Sequence, residues 1–219
     1  MTVALVPAAG RGERLGSGGP KVMVSLHGLP LVTHAVRSLL SAGCVRHVVV
    51  AAPPDYIAPV SGALASFDAV SVVAGGEDRT ASVRLALSAA LTLIPDAKIV
   101  LVHDVDRALT PPAQIRSVAD AVGAGNPAVV PVLPVTDTVK RVNATGVVLS
   151  TADRTGLRAL QSPQGFEVEV LRRACVETGG LADFTAKVDV PVLTVPGDVA
   201  GMKITTPFDL TVAEAVAAR

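Results

Sequence analysis

The chain has 219 residues, half of them apolar but only 2% aromatic, so Ala, Val and Leu must fill the core of one large α/β domain. Its 19 basic and 19 acidic residues balance to a formal net charge of zero, and no basic run occurs. That excludes nucleic acid or an anionic membrane surface as a main partner.

The start, MTVALVPAAG, lacks the basic residues, long apolar stretch and cleavage site of a signal peptide, so a cytoplasmic protein is expected. Strand-like runs fall at Val3–Val6, His47–Ala52, Val70–Ala74, Ile99–His103, Ala128–Leu133 and Val192–Val195. They are short and β-branched, as strands buried on both faces should be. Apolar residues at helical spacing occupy Leu31–Leu40, Ser82–Leu91 and Ile115–Val122. A last helix spans Pro207–Ala218, with Thr206 as its cap and Asp209 in its first turn. The longest apolar stretch, Val48–Val60, is interrupted by Pro53, Pro54, Asp55 and Pro59 and cannot cross a membrane as a helix. Cys44 and Cys175 have no metal or redox spacing and read as packed free thiols. The strand–helix alternation predicts right-handed crossovers and a doubly wound, mostly parallel sheet of Rossmann-like type.

Asp137–Ser150 breaks the alternation. DTVKRV and VVLS flank the turn cluster Asn-Ala-Thr-Gly, which predicts a protruding β-hairpin arm for dimerisation or site closure. One domain over residues 1–219 is expected, with the arm at about 137–158.

Directly after the first strand, Pro7–Lys21 reads PAAGRGERLGSGGPK. A polyphosphate needs backbone N–H groups at close range, which Ala8, Ala9, Gly10 and Gly12 permit. It also needs fixed positive charge, which Arg14 and Lys21 supply. Gly10, Gly12 and Gly16 are one residue too widely spaced for the dinucleotide fingerprint, and no Walker A lysine follows.

Six ordered blocks extend this pattern: PAAGRGERLG with PK, GGEDRTASV, HDVDRALTPP, PVLPVTDTVKRV, DRTGLRALQSPQGF and MKITTPFDL. Together they resemble the 2-C-methyl-D-erythritol 4-phosphate cytidylyltransferases of the non-mevalonate isoprenoid pathway. The resemblance implies a magnesium- and CTP-dependent nucleotidyltransferase acting on a small phosphorylated polyol. It casts Arg14, Lys21 and Lys203 as catalytic and Gly76, Glu77 and Ser82 as base-recognising. It makes Asp104 the metal ligand near the acceptor, and Arg107, Thr138 and Arg154 the holders of the acceptor phosphate. It also implies a homodimer whose arms reach the neighbouring subunit's site.

Two departures bear on the acceptor. The family's HDAAR reads HDVDR here, and Asp106 can join Asp104 on the metal, repel the negative substrate, or turn away. Arg107 is the expected local counter-charge for Asp106, which gives that residue a lesser role than Asp104. The family's TDEA-type segment is replaced by LADFTAKVDVP, where Asp183 and Thr185 stand as substitutes. The alternatives are a cytidylyltransferase for another small phosphate or phosphonate, such as ribitol 5-phosphate, and a non-catalytic nucleotide-binding homologue. Asp104-Val105-Asp106 also spells the metal motif of nucleotide-sugar glycosyltransferases, but that reading leaves Arg14 and Lys21 unexplained. His103 is expected to be a structural imidazole bonded to the backbone, because attack by an ionised phosphate needs no strong base.

Overall fold

The computed structural model describes residues 1–8, 19–176 and 184–218. The chain begins with β1 (Thr2–Pro7), followed by a tight pair, β2 (Ser25–Leu26) and β3 (Leu29–Pro30), and then α1 (Leu31–Ser41). Next come β4 (Val45–Ala52), α2 (Ile57–Ala63), β5 (Val70–Ala74), α3 (Arg79–Leu93), β6 (Ile99–Val102), α4 (Pro112–Gly123) and β7 (Ala128–Pro134). The second half holds β8 (Lys140–Val142), β9 (Val148–Thr151), β10 (Arg158–Leu160), β11 (Gln164–Glu167), α5 (Val168–Ala174), β12 (Val192–Pro196) and α6 (Pro207–Ala217).

The main sheet runs β10-β7-β11-β6-β1-β4-β5, with β12 paired to β7. β1 is parallel to both β4 and β6, and its Leu5 lies level with Val49 on one side and Val102 on the other. The chain moves outward from β1 through β4 to β5, then crosses back to place β6 on the other side of β1. That reversal of direction opens a crevice beyond the carboxyl ends of β1 and β6, the usual ligand site of such a sheet.

The strands bury both faces by alternation. Ala4 and Val6 of β1, with Val48 and Val50 of β4, join the core beneath α1 and α4. Val3, Leu5, Val49 and Val102 join the opposite core, beneath α3 and α5. Only Phe166 and Phe184 among the aromatics are fully buried, so small aliphatic side chains do the packing, as the composition requires.

Most helix and strand expectations agree with the structure, with shifted ends. α3 starts at Arg79 rather than Ser82, because the Asp78 side chain caps it by accepting from the Ala81 amide at 2.7 Å. The last helix carries a full capping box between Thr206 and Asp209. No element was expected at α2 or at β10 and β11. β11 is only QGFE, without alternation, and it lies antiparallel between β6 and β7, held there by tertiary pairing. A Cβ on Gly165 would meet Val118 at 2.6 Å, so α4 packs closely over this strand only because that residue is glycine.

The arm is formed by β8 and β9, and every residue of both strands is exposed. Asn143 Oδ1 closes the turn by accepting from the amides of Thr145 and Val147, and Gly146 supplies the positive φ of 82°. No helix among the described residues is long and apolar enough to cross a membrane.

Candidate active site

A cavity of about 660 Å³ opens beyond β1, β4 and β5, lined by Gly19, Pro20, Pro53, Tyr56, Gly76 and Glu77, among others. The turn at Gly76 is fixed by local hydrogen bonds. The Gly76 amide donates to Ser82 Oγ at 3.1 Å, and Ser82 in turn donates to the Asp78 carbonyl at 2.9 Å. A Cβ on Gly76 would sit 2.4 Å from that of Ala81, so only glycine fits this turn. Of the expected base-recognising residues, Gly76 and Glu77 therefore line the cavity, while Ser82 is fully buried and shapes the loop. Ala8 continues β1 by donating to the Ala51 carbonyl at 2.9 Å. Ala9, Gly10, Gly12 and Arg14 lie outside the described residues, as does Asp183.

Beside this cavity, at the crevice between β1 and β6, five charged groups converge. Lys21 Nζ is 2.8 Å from Asp106 Oδ2. Lys203 Nζ bridges two carboxylates, 3.6 Å from Asp104 Oδ2 and 3.8 Å from Asp106 Oδ2. Arg79 donates to Asp104 Oδ1 through its η2 nitrogen at 2.8 Å and its ε nitrogen at 3.3 Å. The sequence thus brings residues 21, 79, 104, 106 and 203 to one point. Burial alone would raise the Asp104 pKa, but the Arg79 guanidinium and the Lys203 ammonium prevail and hold it at about 2. Asp104 is a carboxylate at any physiological pH.

Arg79 stands in the GGEDRTASV block, where the resemblance gives it no role. It is the first residue of α3, where the helix dipole disfavours a cation. The helix expected from Ser82 left that charge outside it, so nothing in the sequence signalled its role. Its compensation is tertiary: the paired contacts to Asp104 and stacking over the Phe184 ring, 5.2 Å from its centroid.

Lys203 reaches the cluster because its segment is stitched to the loop after β6. The Ile204 amide donates to the Asp106 carbonyl at 2.7 Å. Arg107 donates to the Gly201 carbonyl at 2.7 Å and to the Leu160 carbonyl at 2.9 Å. Gln161 donates to the Asp198 carbonyl and accepts from the Asp198 amide. Arg107 therefore grips backbone on both sides while its charge still acts on Asp106, and the direct ion pair of Asp106 is with Lys21.

His103 is fully buried; its Nδ1 lies 3.1 Å from Ser162 Oγ, a side-chain partner beyond the expected backbone one, which the Arg107 main chain supplies. Burial drives its pKa down to about 4, leaving a neutral imidazole. Ser162 Oγ also accepts from the Asp104 amide at 3.0 Å and so fixes the start of the acidic loop. Thr138 and Arg154 are both exposed on the arm, where Arg154 donates to the Thr136 carbonyl. The structure of one chain does not bring them to the cluster. Burial raises the Cys175 thiol to about 11 and also raises that of Cys44, so both are inert at neutral pH.

Among the described residues no three His, Cys, Asp or Glu side chains group as a metal cage. The two carboxylates and the lysines and arginine around them instead suit a charged, phosphate-bearing ligand.

Comparison with known proteins agrees. Residues 2–219 match the family model for 2-C-methyl-D-erythritol 4-phosphate cytidylyltransferase. The enzyme of that name from Saccharopolyspora erythraea is 54% identical, over 99% of both chains. The one from Nocardia farcinica is 49% identical, over 97% of this chain and 92% of the other. The crystal structure of the Thermus thermophilus enzyme is 29% identical, covers 100% of both chains and superposes with a TM-score of 0.81. On the sequence blocks, the sheet and these relatives together, the chain belongs to the 2-C-methyl-D-erythritol 4-phosphate cytidylyltransferase family of nucleotidyltransferases.

Proposed function

We propose that this protein transfers CMP from CTP to 2-C-methyl-D-erythritol 4-phosphate and releases pyrophosphate, supplying a precursor for isoprenoid synthesis in the cytoplasm. The observation that carries the reading is the convergence of Lys21, Lys203, Asp104 and Asp106 beside a cavity of about 660 Å³. The relatives named above are called by that activity.

The chemistry follows from the charges. An oxygen of the acceptor phosphate forms a bond to the α-phosphorus, and the bond from that phosphorus to the bridging oxygen breaks, so pyrophosphate leaves with its electron pair. The attacking oxygen is already ionised, and no base is required. Neutral, buried His103 is consistent with that. Lys21 and Lys203, with Arg14 from the phosphate loop, stabilise the charge gathering on the transferred phosphoryl group. The base occupies the cavity at Gly76 and Glu77, and selection of cytosine requires hydrogen-bonding groups there that fit that base.

Magnesium fits the residues present. The donors are carboxylate oxygens, and Asp106 Oδ1 is buried without a hydrogen-bond partner. Magnesium takes one or two protein carboxylates and completes its shell with phosphate oxygens and water. Asp104 would hold it, with Asp106 adjacent. When bound, it neutralises phosphate oxygens and eases the departure of pyrophosphate.

The test is pyrophosphate release with CTP, ATP and GTP against a panel of acceptors. CTP with methylerythritol phosphate should be the preferred pair. Preference for ribitol 5-phosphate or a phosphonate would move the acceptor assignment, and equal use of ATP would remove the base assignment. No pyrophosphate with any pair would favour a non-catalytic homologue.

The working form is proposed to be a homodimer of single-domain chains. Val142, Val147, Val148 and Leu149 on the arm are each more than half exposed, and an isolated two-stranded hairpin is marginal in water. A partner subunit would cover them and receive Thr138 and Arg154 at its acceptor site, completing it with Arg107. Sedimentation should show a dimer at assay concentration. A fully active monomer would exclude the exchange.

A further inference from the structure

Asp106 carries a consequence for nucleotide binding that the reaction itself does not require. One of its oxygens, Oδ2, takes both lysines, Lys21 at 2.8 Å and Lys203 at 3.8 Å. The pair with Lys21 is well sheltered, with the two side chains 13% and 9% exposed, so salt screens it weakly. The other oxygen is buried without a hydrogen-bond partner. The carboxylate therefore depends on the lysines for compensation. It also cannot swing away easily. Its carbonyl holds the Ile204 amide at 2.7 Å, and the next turn is closed by the Arg107 amide on the Asp104 carbonyl.

We propose that Asp106 is an internal competitor for the nucleotide's phosphates, occupying Lys21 and part of Lys203 in the free protein and exchanging them with the triphosphate and, after reaction, with pyrophosphate. The inference rests on the reading that these lysines bind the triphosphate. Among the described residues three cations, Lys21, Lys203 and Arg79, pair directly with Asp104 and Asp106, and Arg107 acts on both carboxylates without a direct pair. Without the Asp106 charge the surplus among the directly paired groups would rise from one positive charge to two. A triphosphate offers more charge than one carboxylate and still wins the lysines. Binding is weakened, because the displaced carboxylate stays buried and less compensated. The same exchange helps the product leave, since Asp106 recaptures Lys21 as pyrophosphate departs. Asp106 thus trades nucleotide affinity for product release.

The experiment is calorimetric titration, at low ionic strength and fixed magnesium, of pyrophosphate and of CTP. The proteins are the wild type, Asp106→Asn, Lys21→Met and the double variant. Asp106→Asn keeps the shape and removes the charge. It should tighten both ligands about tenfold, the scale of one well-sheltered charge contact. In the Lys21→Met background the gain should shrink below about threefold, because the competition is for Lys21. Pyrophosphate should also become a stronger inhibitor of turnover in Asp106→Asn. Unchanged or weaker binding in a variant that melts like the wild type would overturn the proposal. So would an equal gain in both backgrounds, which would mean general repulsion. If Lys21→Met itself binds both ligands like the wild type, the assignment of the lysine to the phosphates fails instead. Asp106→Ala supplies the same comparison should the Asn variant not fold.

Discussion

Replacing Lys21 with Ala should reduce turnover by about two to three orders of magnitude, the loss expected when one preorganised charged donor, about 3–4 kcal/mol of barrier, is removed. Lys21 opens the short helical turn Lys21–Met23, whose neighbour Val22 is fully buried and anchors the loop. The fold should therefore survive the substitution. Its cost to stability lies in Asp106, left with Lys203 alone at 3.8 Å. Adding Asp106→Ala should restore the melting temperature without restoring turnover. That separation distinguishes a catalytic lysine from a structural ion pair. Near-normal pyrophosphate release from Lys21→Ala would remove the residue from the mechanism.

Asp104→Asn should be comparably severe, with turnover in magnesium falling at least about 100-fold. The residue follows β6 directly, its amide is held by Ser162, and its two oxygens face Arg79 and Lys203. The amide would lose both the charge proposed to hold the metal and the charge-assisted contact to Arg79. Raising the magnesium concentration should recover little. Turnover that survives Asp104→Asn but collapses in Asp106→Ala would reverse the two roles and favour the glycosyltransferase-like reading of the pair.

Legibility in the sequence followed the physical range of each interaction. β5 was readable to the residue and β1, β4, β6, β7 and β12 to within two at either end, because each is a β-branched run, which the buried β1, β4 and β6 require and the partly exposed β5 and β12 share. The turn Asn143–Gly146 was readable because its side-chain and glycine chemistry is local. β11 was not, since QGFE becomes a strand only by pairing with β6 and β7. In the site, the spacing of Asp104 and Asp106 was visible, but their partners lie 25 to 99 residues away in sequence. Arg107 illustrates the limit. Adjacency in sequence marked its charge as acting on Asp106, which it does, but not the commitment of its guanidinium to carbonyls of Gly201 and Leu160, which lie far along the chain. Arg79 was hidden for the same reason, because its meaning resides in Asp104 and Phe184.

The stitching of Lys203 to the loop after β6 also sets an order of events during synthesis. Strands β1, β4, β5 and β6 are complete by Val102, and a ribosome delivers them early enough to pair with one another while the rest is still being made, whereas β7 pairs only with the later β10, β11 and β12. The cluster cannot close until the segment from Asp198 to Ile204 has emerged and met Gln161, Arg107 and Asp106. A nascent or prematurely ended chain can thus own a sheet and a base cavity yet lack its third cation. The centre joins residues from 21 to 203, so it exists only once the segment that carries Lys203 has been made.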